Sequence, residues 1–397
     1  KLINTLKLKG SYGLAGNNAF GNYQSLGLLS KANYVLANKQ VNGLAVSSLP
    51  NADLTWEKSL QTDLGVDVAI LNDRISFTAD YYNRITKGLL VNVPVPTLTG
   101  FSQSTTNIGR VRNRGFEFSL TTQNTVSALR WSTSANISFN RNKVLALGAN
   151  GLPIMGAPGI GNVITKIGEP IGNFYAYNAL GIFQNQAEID AYPHYSNTKP
   201  GDIKYEDVDK NGVINSLDQT IVGNNQPDFI YGLTNNMAYK GFDFSFVLQG
   251  VSGGQIFNFN RRFYDSLNAK YNTLSYVKNR WRSESDPGDG MTPRANLNTT
   301  GRNQDPSSRW SESASYFSVR NITLGYSIPK NLVTKAKIAN ARLYVGVQNA
   351  FMFSDYSGFN PEVTTVFDPG TAVLAGGVDY GAYPLSRTFT FGLNLGF

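Results

Sequence analysis

Residues 386–397 read Ser-Arg-Thr-Phe-Thr-Phe-Gly-Leu-Asn-Leu-Gly-Phe, and their alternation decides the fold. In an extended strand successive side chains point to opposite sides. Phe389, Phe391, Leu393, Leu395 and Phe397 therefore share one face, and Thr388, Thr390, Gly392, Asn394 and Gly396 share the other. Chain ends usually fray into polar tails, whereas this alternation runs to the last residue. An apolar outer face, a small and polar inner face and no tail suit the closing strand, 386–397, of a transmembrane β-barrel. A strand of a soluble sandwich is the competing reading, and the upstream sequence separates the two.

Upstream the same pattern recurs. Leu343, Val345 and Val347 alternate with Arg342, Tyr344, Gly346 and Gln348; Phe242, Phe244, Phe246 and Leu248 alternate with Asp243, Ser245, Val247 and Gln249. Trp131, Ile137 and Phe139 share a face opposite Arg130, Asn136 and Asn140, and Phe116, Phe118 and Leu120 form another row. The stretch 60–70 puts Leu60, Leu64, Val66, Val68 and Ile70 on one side and Gln61, Asp63, Gly65, Asp67 and Ala69 on the other. Two carboxylates on one strand face are costly in a dry core and ordinary in a wet lumen. A tight polar turn, Leu71 to Arg74, leads into Ile75, Phe77, Ala79 and Tyr81 alternating with Ser76, Thr78, Asp80 and Tyr82, the grammar of a hairpin. Thr5 to Leu14 reads as the first strand and Ser25 to Leu36 as a looser one.

The pattern predicts an all-β, transmembrane, antiparallel up-and-down β-barrel portion with about a dozen strands of roughly ten residues, enough to cross a bilayer when tilted. Between the strands lie long irregular segments, 147–170, 184–228, 255–315 and 354–385, which alternate with short turns. That asymmetry is typical of outer-membrane barrels, whose long loops face outside. Trp56, Tyr81, Trp131, Tyr239 and Tyr326 suit the aromatic girdles at the two interfaces.

Composition agrees. The chain of 397 residues has 39 Gly and 12% aromatics, and it contains no apolar run of the ~18 residues that a membrane helix needs. It has no Cys, so disulfide scaffolds, thiolate metal sites and cysteine catalysis are excluded. The formal charge of +8 is spread over single Arg and Lys residues rather than one basic surface, so nucleic acid is not an expected partner. Lys1 follows no signal peptide, so the N-terminus reads as truncated or processed.

One motif carries metal chemistry. Residues 207–218, Asp-Val-Asp-Lys-Asn-Gly-Val-Ile-Asn-Ser-Leu-Asp, match an EF-hand calcium loop within the 184–228 segment. Asp207, Asp209 and Asn211 take positions 1, 3 and 5, Gly212 the sharp turn, Val213 a backbone carbonyl, Asn215 position 9 and Asp218 position 12. Asp218 is one methylene shorter than the Glu of that loop. All donors are hard oxygens, so Ca²⁺ is the expected ion and stiffening of an external loop its role. The alternative is an Asx-rich turn whose side chains cap their own backbone.

Other candidates are bland. His194 is the only histidine, and no nucleophile is singled out to serve it, so it reads as a loop residue and no catalytic site is expected. Asp202 with Glu206, or Glu284 with Asp286, resemble glycosidase carboxylate pairs only by proximity in sequence. Gly156 to Gly161 and Gly250 to Gly254 lack the context of a phosphate cradle and read as turns. Aromatics in Phe257 to Tyr264 suit either stacking on sugar rings or the membrane interface.

Several phrases resemble the barrel of the SusC/RagA family of TonB-dependent outer-membrane transporters. They are Asn51 to Leu71 (NADLTWEKSLQTDLGVDVAIL), Asp80 to Leu90 (DYYNRITKGLL), Gly109 to Phe118 (GRVRNRGFEF), Gly168 to Phe183 (GEPIGNFYAYNALGIF), Tyr316 to Pro329 (YFSVRNITLGYSIP), Gln348 to Val363 (QNAFMFSDYSGFNPEV) and the terminal strand. Residues 1–397 resemble the C-terminal part of such a barrel, without the family's plug domain. The resemblance implies import of an oligomeric nutrient, glycan or peptide, across the outer membrane. It also implies a SusD-like surface lipoprotein as lid and energy from TonB through the plug, with the remaining N-terminal barrel completing the wall. A barrel enzyme and a secreted calcium-binding β-protein are the two alternatives; release by detergent rather than buffer excludes the second, and an activity screen on lipid and peptide substrates tests the first.

Overall fold

The computed structural model describes residues 2–18, 22–101, 103–148, 151–156, 163–265, 267–268, 270–297, 302–363 and 374–397. Ten strands form one sheet: β1 (Ile3–Asn17), β2 (Glu57–Ile70), β3 (Ile75–Pro94), β4 (Gln103–Val126), β5 (Leu129–Ala146), β6 (Phe229–Tyr239), β7 (Phe242–Ser252), β8 (Tyr316–Ser327), β9 (Asn340–Ser354) and β10 (Thr388–Gly396). Each pairs antiparallel with its neighbours in chain order, so the wall is an up-and-down meander. Among the described residues β1 and β10 each have one unpaired edge.

The wall exposes both faces. A compact monomer of this mass would expose about 15,000 Å²; this chain exposes 22939 Å². On one face Leu8, Leu64, Phe116, Val345, Phe389, Phe391 and Leu393 stand open, as apolar side chains do against acyl tails. Asp63, Asp80, Glu117 and Asn140 gather on the other. The expected separation of greasy and polar faces is therefore the one observed.

A buried polar side chain interrupts the outward row of β6. Asn235 on β6 sits opposite Thr133 and Phe246 in the outward row, yet is only 6% exposed. Its carbonyl oxygen accepts from Trp131 Nε1 at 2.8 Å and Thr133 Oγ1 at 2.7 Å, and Asn124, at a bulge in β4, donates to Thr133 at 2.7 Å. A polar group facing lipid has to be satisfied within the protein. Here Trp131 supplies both the cover and the donor.

Among the described residues the wall has ten strands where about a dozen are expected, and they run from 9 to 24 residues rather than about ten. Strands β3, β4 and β5 are 20, 24 and 18 residues long, which exceeds what a tilted membrane strand needs. The stretch 25–36 does not join the wall. Leu29–Leu36 instead pairs only with Lys39–Val46, through a tight turn in which Ala37 and Asn38 have φ of 48° and 61°. Two positive φ values are what a two-residue hairpin with the twist of its strands requires.

The connections 71–74, 127–128, 240–241 and 328–339 lie at one end of the wall; 95–102 and the four much longer ones, 18–56, 147–228, 253–315 and 355–387, lie at the other. Trp131, Tyr239 and Tyr326 sit near the short-turn, periplasmic end, as girdle residues should. Tyr81 is mid-strand, packed on Phe116 at 5.0 Å, and Trp56 precedes β2 at the opposite end.

Where they are described, the segments expected as irregular loops form a folded cap, and it holds nearly all of the buried core. The largest fully buried side chains, Val144 apart, all lie between wall strands, Trp310, Tyr205, Phe174, Phe183, Phe257 and Phe259 foremost. Residues 173–177 pair with 219–223 and 163–165 inside the 147–228 loop, 255–258 pair with 311–313 and with 378–379 of the 355–387 loop, and Tyr177 N donates to the Pro306 carbonyl at 3.2 Å, so these three loops interlock. Phe257 packs on Phe174 at 5.4 Å and on Trp310 at 5.8 Å. Of the aromatics in Phe257 to Tyr264, Phe257 and Phe259 therefore serve the cap interior, neither more than 1% exposed, while Phe263 and Tyr264 are half-buried.

Candidate functional site

The polar face of β2 to β5 forms a hollow of about 400 Å³ lined by Gln61, Asp63, Asp80, Tyr82, Arg84, Asn113, Glu117 and Asn140. Alternation places these groups together: Asp63 lies opposite Tyr82, Asp80 opposite Glu117, and Arg84 opposite Asn113. Ser11 and Gln61 donate to Asp63 at 2.9 and 2.7 Å, and Tyr82 donates to Asn140 at 2.9 Å. Lys9 from β1 bridges Asp67 at 2.8 Å and Asp80 at 3.0 Å. It reaches Asp80 by crossing over Gly65, where a Cβ would collide with both the Lys9 side chain and the Asp80 carboxylate. Arg342 pairs with Asp243 further round the same face. Such a surface offers hydrogen-bond donors, acceptors and both charges to water or a polar solute, with no catalytic cluster among the described residues.

Above the wall the cap is fixed by buried ion pairs. Asp202, 0% exposed, accepts from Arg294 at 2.7 and 3.2 Å, from Asn303 at 2.9 Å and from the Lys199 backbone at 2.9 Å. Asp265 lies between Arg261 and Arg309 and accepts from Tyr276. Burial pushes its carboxyl above the ordinary carboxylate range against the pull of those two guanidiniums. Removing one partner of a buried pair strands the other. Asp202→Ala is accordingly expected to weaken the cap by about 3 kcal/mol, the low end for such a pair because Arg294 keeps 19% exposure. Faster protease cleavage near residue 202, with wall heat-modifiability unchanged, checks this; parental cleavage rates would contradict it.

The predicted metal loop is compact. Carboxylate oxygens of Asp207, Asp209 and Asp218 all lie within 4.8 Å of one another. Gly212 has φ of 84°, and Gly212 and Asn211 donate their backbone N–H groups to Asp207 at 2.8 and 3.2 Å. Val213 donates its N–H to Asn211 Oδ1 at 2.8 Å, and its carbonyl takes a 3.4 Å contact from Asn215. Asp218 is fully buried, accepting from Val208 N at 2.9 Å and Asn215 N at 2.7 Å, while Asn215 Oδ1 caps Leu217 N at 2.8 Å. Ile214, 4% exposed, ties the loop to the cluster of Tyr177, Ile182, Ile203 and Tyr205.

The remaining candidates are dispersed. His194 is exposed, its Nδ1 2.8 Å from the Tyr192 carbonyl oxygen. Glu206 holds Asn178 at 2.7 Å rather than facing Asp202, and Asp286 is held by Arg282 at 2.8 Å. Gly253 and Gly254 turn with φ of 77° and 73°. Of the Gly156 to Gly161 stretch, residues 157–161 lie outside the described residues. Sequence reasoning missed β6, whose outward row is interrupted by Asn235, and the cap network in which Asp202 meets Arg294 and Asn303, 92 and 101 residues further along the chain. Only the apolar stretches 173–177 and 256–259 hint that these loops have an interior.

Comparison with known proteins places this geometry. The family described as TonB dependent receptor-like, beta-barrel, matches residues 1–350. TonB-dependent receptor P3 of Formosa agariphila is 35% identical over the whole of this chain and 40% of its own length. TonB-dependent receptor SusC of Bacteroides thetaiotaomicron is 32% identical over 87% of this chain and 32% of its own. A structure of the RagAB peptide transporter superposes with a TM-score of 0.79 at 25% identity, covering 99% of this chain and 41% of that one. The chain thus spans about a third to two-fifths of the length of these relatives. A ten-stranded meander with a lipid-facing and a lumen-facing side, short turns at one end and a folded cap at the other, belongs to the TonB-dependent receptor-like β-barrel family of the outer membrane.

Proposed function

We propose that the chain supplies part of the barrel wall and the external cap of a SusC-like TonB-dependent transporter that imports oligomeric nutrients, glycan or peptide. The observation that carries this is the polar face of β2 to β5, continued by Arg342 and Asp243, which gives a water-compatible path through an apolar membrane. A SusD-like lipoprotein would close the cap from outside, and TonB would act through a plug in the remaining part of the protein. Deleting the gene and growing the strain on panels of glycans and peptides tests this. Loss of growth on one class, with a lipoprotein co-purifying with the full-length protein, is expected; unchanged growth on all of them and no partner would overturn it. Enzymatic turnover by the purified barrel would favour the alternative of a barrel enzyme.

The loop 207–218 fits Ca²⁺ by its donor set. Asp207, Asp209, Asn211, Asn215 and Asp218 side chains and the Val213 carbonyl offer only hard oxygens, and three carboxylates already converge. Bound there, Ca²⁺ would neutralise like charges and pin the loop to the buried Ile214. In the full-length protein Ca²⁺ is expected to slow proteolysis between residues 203 and 223 and to release heat on titration. Asp207→Ala should abolish both. No heat in the parent, with Asp207→Ala leaving proteolysis unchanged, would show the loop to be an Asx-capped turn.

A further inference from the structure

The outer face is not uniformly paved. Over β3 to β6 the outward rings of Phe77, Phe116, Phe118, Phe139 and Phe229 follow one another at centroid distances of 5.6 to 6.4 Å. Over β7 to β10 aliphatic side chains stand between the rings and leave a hollow of about 570 Å³. Phe242, Leu324, Tyr326, Leu343, Val345 and Leu393 wall it, with Gly325 and Gly392 among its lining residues. Its lower rim is Phe242 and Tyr326, whose rings are 4.5 Å apart, at the periplasmic end of the wall.

Directly below that rim the connections are basic. Lys240, in the β6–β7 turn, places its amine 5.3 Å from the ring of outward-facing Tyr239. The β8–β9 connection, 328–339, carries Lys330, Lys335 and Lys337 and no acid. The two are joined, Ser327 N donating to the Gly241 carbonyl at 2.8 Å. On the four strands β7 to β10 the single acidic side chain is Asp243, which faces the lumen and is paired with Arg342. The other short connections are neutral: 71–74 balances Asp73 with Arg74, and Ser127-Ala128 is uncharged. Among these four connections, a net positive charge is carried only by the two beneath the hollow.

We infer that the hollow and its four lysines form a binding site for an anionic phospholipid of the periplasmic leaflet, acyl chain in the hollow and headgroup among the amines. Long lysine stems lie along apolar surface while the amines reach the headgroup level, and basic residues at that level attract anionic lipid. A zwitterionic phospholipid fills the same hollow but gains nothing from Lys240, Lys330, Lys335 and Lys337.

The test uses the full-length protein in vesicles with Leu343→Trp, and Leu120→Trp on the distant outward face as control. Quenching of the added tryptophan by brominated phosphatidylglycerol is compared with brominated phosphatidylcholine. Trp at 343 is expected to favour phosphatidylglycerol by about threefold or more, falling to about equal association in a K330Q/K335Q/K337Q background; Trp at 120 is expected to show no preference in either. A label-free readout guards against misfolding of the tryptophan variant: phosphatidylglycerol retained per protein, counted by native mass spectrometry, should drop in the lysine variant alone. Equal quenching by both lipids at 343, a preference that survives loss of the lysines, or the same preference at 120 would overturn the site.

Discussion

Arginine in place of Phe391 is expected to cost the full-length protein about 2–4 kcal/mol of folding free energy in liposomes, whereas arginine in place of neighbouring Thr390 costs less than about 1 kcal/mol. The two residues are adjacent on β10, so propensity and position along the membrane normal are nearly matched. They differ in face. Phe391 is 79% exposed on the apolar side and pairs with outward-facing Val345, while Thr390 pairs with Gly346 above the lumen. A guanidinium at 391 must be accommodated among acyl chains; at 390 it joins a surface that already carries Arg342. Urea unfolding of both variants in phospholipid vesicles measures the difference. Equal losses would mean that β10 does not divide lipid from water.

The second large effect concerns closure. The 397-residue chain expressed alone is expected to give no heat-modifiable monomer in detergent or lipid, whereas the full-length protein does. β1 and β10 each carry a free edge among the described residues. Every backbone N–H and C=O left unpaired in hydrocarbon costs several kcal/mol, and an edge of nine or more residues multiplies that cost beyond any domain's stability. Further strands must therefore pair with these edges in the membrane. A folded, heat-modifiable ten-stranded monomer would show instead that β1 and β10 find each other.

How much of this was written in the sequence follows from range. Period-two alternation is a local signal, so the faces of β2, β3, β7, β9 and β10 were legible from residues such as Asp63, Asp67 and Phe391. β6 was less legible because Asn235 occupies a lipid-side position, and its satisfaction by Trp131 depends on a strand 104 residues away. The strand expected near 25–36 is present as Leu29–Leu36, but it pairs with 39–46 and has no outward row continuous with the wall, which alternation alone does not reveal. The cap was invisible for the same reason: Asp202 meets Arg294 and Asn303 only after two separate loops dock on each other. The 207–218 motif was recognisable because its oxygen-bearing side chains fall within twelve consecutive residues; in the structure carboxylate oxygens of Asp207, Asp209 and Asp218 lie within 4.8 Å of one another.

The most direct test of the whole arrangement is a site-directed spin-label scan of residues 388–395 in the full-length protein in liposomes; this chain contributes no native thiol to compete with the label. Positions 389, 391, 393 and 395 are expected to relax with dissolved oxygen, and 388, 390, 392 and 394 with a water-soluble nickel complex, in a period of two. Uniform access of the nickel complex along the strand, or protection of 389, 391 and 393 from both reagents as in a globular core, would contradict it.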